Sequence, residues 1–231
     1  MASAYGSARK NIEEQLTSVD QALCFDHDCQ QLQHYYEKWS ADYDKDVLQQ
    51  SYCGPTTIVR LFELLIAASE HLACQDYSSL HVMDACCGTG LVGAELARQG
   101  FGHVDGCDLS PAMVREAQKT AAYEALHAGI DLTIANASLF PDHLYDATLC
   151  CGAFIEGHLP ARALDELIRI TAPHGLVIFS TRRTFYEKEG FADLLDQWVA
   201  NGELRPAGAI MDASYLDGVA AHYLAYSVCP H

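Results

Sequence analysis

Val82-Met83-Asp84-Ala85-Cys86-Cys87-Gly88-Thr89-Gly90-Leu91-Val92-Gly93 is a buried strand running into a glycine turn and then into a helix. Residues 80–85 are apolar enough for a strand covered on both faces, and Leu91 to Gln99 follows the helical period. Glycines at such a turn let the backbone approach a ligand closely, and the helix start offers free N–H groups. Twenty positions after Gly88, Asp108 closes a second strand (103–108), where an acid can accept both hydroxyl hydrogens of a ribose, with Leu109 beside it. Ser110 and Pro111 then open a helix as an N-cap followed by Pro at the first position.

The alternation continues outward. Strands are expected at 131–135, 145–151 and 176–181, helices at 161–171 and 187–200, and a strand pair over 205–228. Upstream, Pro55 opens a helix in which Ile58, Leu61, Phe62, Leu65 and Ile66 share a face. Strands and helices in turn imply an α/β fold, a doubly wound and mostly parallel sheet covered on both faces. Tyr35, Tyr36, Trp39 and Tyr43 fall on helical spacings ahead of it. Residues 1–34 show weak periodicity through Ile12, Leu16, Val19 and Leu23. We therefore divide the chain into an N-terminal helical arm and lid, 1–54, and a core, 55–231.

With 231 residues, half of them apolar and 19 % charged, the composition is globular. Fourteen Lys+Arg against 31 Asp+Glu give a net charge of −17. Such a surface repels phosphate backbones and anionic membranes, so neither nucleic acid nor membrane is an expected partner. No apolar run reaches the roughly 18 residues of a membrane span, and MASAYGSARK is not a secretory leader. The ten cysteines are then expected as reduced thiols in the cytoplasm. Cys24-Phe25-Asp26-His27-Asp28-Cys29 lacks a second ligand pair, so no metal is expected.

Two cofactor classes suit the glycine turn. Gly88-x-Gly90-x-x-Gly93 matches the dinucleotide fingerprint, with Asp108 as its ribose acid. S-adenosylmethionine (SAM) binding instead calls for an acid ahead of the glycines, where Asp84 stands. A carboxylate there suits an ammonium and a sulfonium and repels a pyrophosphate, so charge favours SAM.

DACCGTGLVGAEL and GCDLSPAMVREAQ resemble the first two motifs of class I SAM-dependent methyltransferases. YYEKWSADYDKDV with Tyr52-Cys53-Gly54-Pro55, then GAFIEGHLP and GLVIFSTR, are similar to the Williams–Beuren-region methyltransferase-like family. The resemblance spans roughly 35–205. It implies a Rossmann-like seven-stranded sheet with a reversed last hairpin, and methyl transfer from SAM with S-adenosylhomocysteine (SAH) as product. It also implies cofactor contacts at Cys86, Gly88 and Gly90, at Asn136, Ala137 and Ser138 beside the adenine, and at Tyr43 in a closing lid. Cys86-Cys87 departs from the usual Gly-Cys or Cys-Gly step.

Cys151 and Gly152 end the fourth strand, where methionine and acceptor should meet. The run Cys-Gly-Ala-Phe in place of Asn/Asp-Pro-Pro-aromatic argues against adenine or cytosine N-methylation. His158, with Glu156 as a rival, is the candidate general base. Trp39, Phe154, His158 and Arg182 are candidates for acceptor binding, Arg182 as a clamp for a carboxylate or phosphate. Phe185, Tyr186, Met211 and Tyr215 complete an expected aromatic enclosure. The expected acceptor is a small molecule, neutral or cationic, or anionic and held by Arg182. The expected assembly is a monomer or homodimer. Two rival functions are an NAD-dependent oxidoreductase, for which Tyr-x-x-x-Lys is missing, and a non-catalytic SAM-binding activator subunit.

Overall fold

In the computed structural model, residues 29–188 and 190–230 are described. The arm periodicity through Leu23 and most of the Cys24–Cys29 run lie outside them. Two helices lead in, α1 (Cys29–Trp39) and α2 (Tyr43–Gln49). Helix α3 (Gly54–Ala68) follows, with Pro55 in its first turn, where a missing N–H costs nothing.

The core then alternates as β1 (His81–Ala85), α4 (Leu91–Arg98), β2 (His103–Asp108), α5 (Pro111–Gln118), β3 (Ala125–Ala128), β4 (Tyr145–Phe154), α6 (Leu164–Ile170) and β5 (Thr171–Arg182). Helices α7 (Arg183–Lys188) and α8 (Phe191–Ala200) precede the hairpin β6 (Leu204–Leu216) and β7 (Val219–Val228). Ser110 caps α5 as expected, its hydroxyl accepting from the Met113 N–H.

The seven strands order as β3-β2-β1-β4-β5-β7-β6. The first five pair in parallel, while β7 runs antiparallel to both β5 and β6. Strand order reverses between β1 and β4, which opens a crevice at their carboxyl ends. One face of the sheet packs Met83, Phe179 and Leu224 against α6 and α8. The other packs Val82, Leu149 and Ile178 against α3 and α4.

Three expectations need correction. The third strand is Ala125–Ala128, not 131–135, which forms turns. The helix expected over 187–200 is two helices separated at Gly190, whose φ is 63°. Phe154 does not face a ligand space: it is fully buried, with ring centroids 5.3 Å from Phe179 and 5.4 Å from Phe191. Register slips between Cys150 and Phe154, so the alternation of faces breaks there and the ring swings into the core. Phe185 joins the same core, and Met211 is exposed on β6.

Candidate active site

The turn after β1 is tightly wound. Cys86, Gly88 and Gly90 have φ of 58°, 55° and 92°. The first of these is a left-handed conformation that glycine takes freely and cysteine takes at a cost of about 1–2 kcal/mol. The Cys87 N–H donates to the Cys107 carbonyl at 2.9 Å, tying the turn to β2. The Gly88 N–H donates to one Asp108 carboxylate oxygen at 2.9 Å and the Ser110 N–H to the other at 2.7 Å. Burial raises the Asp108 pKa, while these two N–H groups pull it down. Each oxygen keeps a free lone pair, so the carboxylate is held ready to accept two more hydrogen bonds.

Asp84 has a different place from the one expected. It is buried and does not line a cavity. The Tyr123 hydroxyl donates to it at 2.7 Å, and the Gly93 N–H donates as well. Burial pushes its pKa up to about 7 against those two donors. Gly93 and Gly106 make room for the Tyr123 ring; a Cβ on Gly93 would lie 2.2 Å from it. The third glycine of the fingerprint therefore seats a tyrosine behind the turn.

Two cavities meet at the crevice. The first, about 170 Å³, runs from Gly88, Asp108 and Leu109 past Ile130, Asp131 and Thr133. Cys86, Cys151, Tyr43 and His158 line it as well. The second, about 30 Å³, lies between Trp39, Tyr52, Tyr215 and Arg182. Tyr36, Tyr43 and Gly152 line both. Gly152 has φ 82°, and a Cβ there would lie 2.7 Å from the Tyr215 hydroxyl. Burial pushes the Cys151 thiol up to about 11, so it stays neutral at pH 7.

Helix α2 is tied to the turn. The Thr89 hydroxyl donates to Asp44 of α2 at 2.5 Å, where α4 begins. Trp39 and Tyr43 meet edge to face with centroids 4.7 Å apart, and the Trp39 indole N–H donates to Asp46 at 2.8 Å. His158 is buried, with Nδ1 3.0 Å from the Glu156 carbonyl and Nε2 2.9 Å from the Tyr36 hydroxyl. A carbonyl only accepts, so Nδ1 carries a proton, and in the neutral ring Nε2 accepts from Tyr36.

Of the residues singled out in the sequence, Tyr43, Cys86, Gly88, Asp108, Leu109, Cys151 and His158 come together around the first cavity. Trp39 and Arg182 reach the second. Glu156 brings only its carbonyl, and its side chain lines neither cavity. Asn136, Ala137 and Ser138 also line neither. The Asn136 amide donates to the Asp131 and Ile134 carbonyls, and its backbone N–H donates to Glu166. With β3 ending at Ala128, the segment that reaches the cavity is 130–133. Asp131 and Tyr123 were missed, since both follow from where the third strand lies.

Residues 82–175 match the model of a family described as Methyltransferase domain. The magnesium protoporphyrin IX methyltransferase of Synechocystis, solved with bound SAM, superposes with a TM-score of 0.56 over 75 % of this chain and 79 % of that one, at 23 % identity. This chain has the class I methyltransferase fold. Methyltransferase-like protein 27 of Homo sapiens is 36 % identical over 156 residues, 67 % of this chain. The chain spans 59 % of the length of that relative. The cyclase SpnF shares the class I methyltransferase fold at TM-score 0.56 and 16 % identity, over 74 % of this chain and 81 % of that one. Fold alone therefore does not fix the chemistry, and the site must supply the rest.

Proposed function

We propose that the chain transfers a methyl group from SAM to a small-molecule acceptor. The observation that carries this reading is Asp108, whose two oxygens are aligned by the Gly88 and Ser110 N–H groups and still free to accept ribose hydroxyls. Leu109, Met113, Ile130 and Leu132 give the adenine apolar walls, with Asp131 and Thr133 as its polar partners. The methionine end lies toward Cys86, Gly88, Cys151 and Tyr43. When bound, SAM supplies a methyl group on a cationic sulfur, already activated for displacement. The chain's own residues then orient the acceptor and exclude water. His158 Nε2, reached through Tyr36, is the group placed to take a proton when the acceptor carries one.

A dinucleotide suits this site poorly. Asp44 occupies the start of α4, where a pyrophosphate would bind, and Asp108 and Asp131 add negative charge beside it. Calorimetric titration checks the choice: SAH is expected to bind and NADH not to. Tight NADH binding without SAH binding would replace this reading with the oxidoreductase one. SAH binding with no turnover across a metabolite library would leave the activator subunit.

A small acceptor is supported by the size of the second cavity and by the charge of −17, which opposes polynucleotides. The chain works in the cytoplasm as a monomer or homodimer, with 1–54 as arm and lid and 55–231 as core. Residues 35–52 order further on cofactor binding, because Tyr43 and Tyr36 line the cavity that fills. Hydrogen exchange is expected to slow across Tyr35–Tyr52 when SAH is added. Unchanged protection there would remove the lid from the account.

A further inference from the structure

Arg182 ends β5 and turns into the second cavity. Its Nε is buried without a hydrogen-bond partner. Its guanidinium makes no ion pair among the described residues, whereas its neighbour Arg183 pairs with Asp212 at 3.4 Å. Among the described Lys and Arg side chains Arg182 is the one with a buried nitrogen that has no partner, and that nitrogen belongs to a residue lining a cavity, where a ligand can supply the acceptor. A buried charged donor left unmatched is costly, so a ligand that matches it gains what the fold gave up.

The other walls do not by themselves decide the ligand. Five rings, of Tyr36, Trp39, Tyr43, Tyr52 and Tyr215, suit a cation, a planar ring or an aliphatic body equally. The polar ends of four of them are already engaged. The Trp39 N–H is on Asp46 and the Tyr36 hydroxyl on His158. The Tyr215 and Tyr52 hydroxyls lie 3.5 Å apart, with the Cys151 thiol 3.5 Å from Tyr52. No carboxylate lines this cavity. A cationic ligand would meet a guanidinium and nothing to balance either charge.

We infer that the methyl acceptor is a compact organic carboxylate, its carboxylate taken by Arg182 and its body held between the rings. This rests on the methyltransferase reading and narrows its substrate class. The carboxylate is the anchor. The nucleophile is a second group at the far end of the molecule, directed past Gly152, where the two cavities join. Its lone pair forms the bond to the methyl carbon as the carbon–sulfur bond breaks and that electron pair stays on sulfur. A proton on the nucleophile leaves to His158 or water. The cavity has room for about two waters with α1 and α2 in place, so it takes the small anionic end first and a larger body only as those helices shift. One guanidinium matches a monoanion in the bidentate geometry that Nε and Nη offer; a phosphate dianion would be left half balanced.

The test titrates SAH-loaded protein with phenylacetate, phenylacetamide, phenethylamine and phenyl phosphate. Wild type is compared with Arg182→Gln and with Arg182→Lys, which keeps the charge. Phenylacetate is expected to bind wild type about tenfold more tightly than the amide, the amine or the phosphate. That preference should vanish in Arg182→Gln and survive in part in Arg182→Lys, with SAH affinity the same in all three. Equal binding of acid and amide, a preference for the amine or the phosphate, or a preference that persists in Arg182→Gln overturns the inference. If SAH binding is intact, only the inference falls; if wild type fails to bind SAH, the methyltransferase reading falls with it.

Discussion

Asp108→Ala is expected to weaken SAH binding about 100-fold. Two hydroxyl donors lost from a charged acceptor cost about 3 kcal/mol together. The effect is large because the carboxylate is already positioned by the Gly88 and Ser110 N–H groups and pays little to receive a ligand. Asp108→Asn keeps the shape but turns one oxygen into an NH₂ that must face a backbone N–H, donor against donor. It should therefore lose affinity too, while a truly peripheral side chain would tolerate the change. Calorimetry gives the affinity, and melting curves show whether the variants stay folded. An Asp108→Ala protein that bound SAH as tightly as wild type would mean the ribose lies elsewhere.

Asp84 carries the largest expected effect on stability. In the unfolded chain it loses its proton near the ordinary carboxylate value, about 3.9; in the folded protein burial holds it up to about 7. Between those values the folded form keeps a proton that the unfolded form has released. Raising the pH therefore favours unfolding. The penalty is absent below about pH 4 and complete above about pH 7, where it amounts to about 4 kcal/mol. Asp84→Asn carries no titrating group and keeps an acceptor for Tyr123. Urea denaturation of both proteins from pH 4 to pH 8 should show the variant gaining on wild type by that amount as pH rises. A difference that stayed constant with pH would show that Asp84 is ionised in the folded protein throughout.

The glycine turn, Asp108 and the strands on either side of it were legible because their signals are local: a buried apolar run, glycines in sequence and an acid at a fixed spacing. The third strand was not. Ala125-Leu126-His127-Ala128 has no β-branched residue, while Leu132 and Ile134 five residues on alternate like a strand. In the structure Leu132 is buried and Ile134 is 61 % exposed on turns. The adenine contacts expected at 136–138 inherited that displacement. Phe154 misled for a different reason: the strand was expected to end at residue 151, but β4 runs on to Phe154, and a slip in register between Cys150 and Phe154 turns the ring inward. The bonds from Thr89 to Asp44 and from Tyr36 to His158 span 45 and 122 residues. No spacing rule reaches that far, so the aromatic residues of α1 and α2 were visible in the sequence and their partners were not. Asp84 was recognised as a motif acid, yet its role depended on Tyr123, 39 residues away.

The position of β7 between β5 and β6 has a consequence for how the molecule is built. During synthesis β6 leaves the ribosome before the only strand it pairs with, and β5 shows an open edge until the same strand arrives. The sheet therefore closes from the inside, last strand first into the gap, and Tyr215 takes its place over Gly152 only at that step. The β6–β7 turn is short and local, but β5 and β7 pair across at least 39 residues, a contact that rewards the chain late. An interrupted or stalled chain would carry the glycine turn and Asp108 without the Tyr215 wall of the second cavity, together with two bare strand edges open to association with other chains.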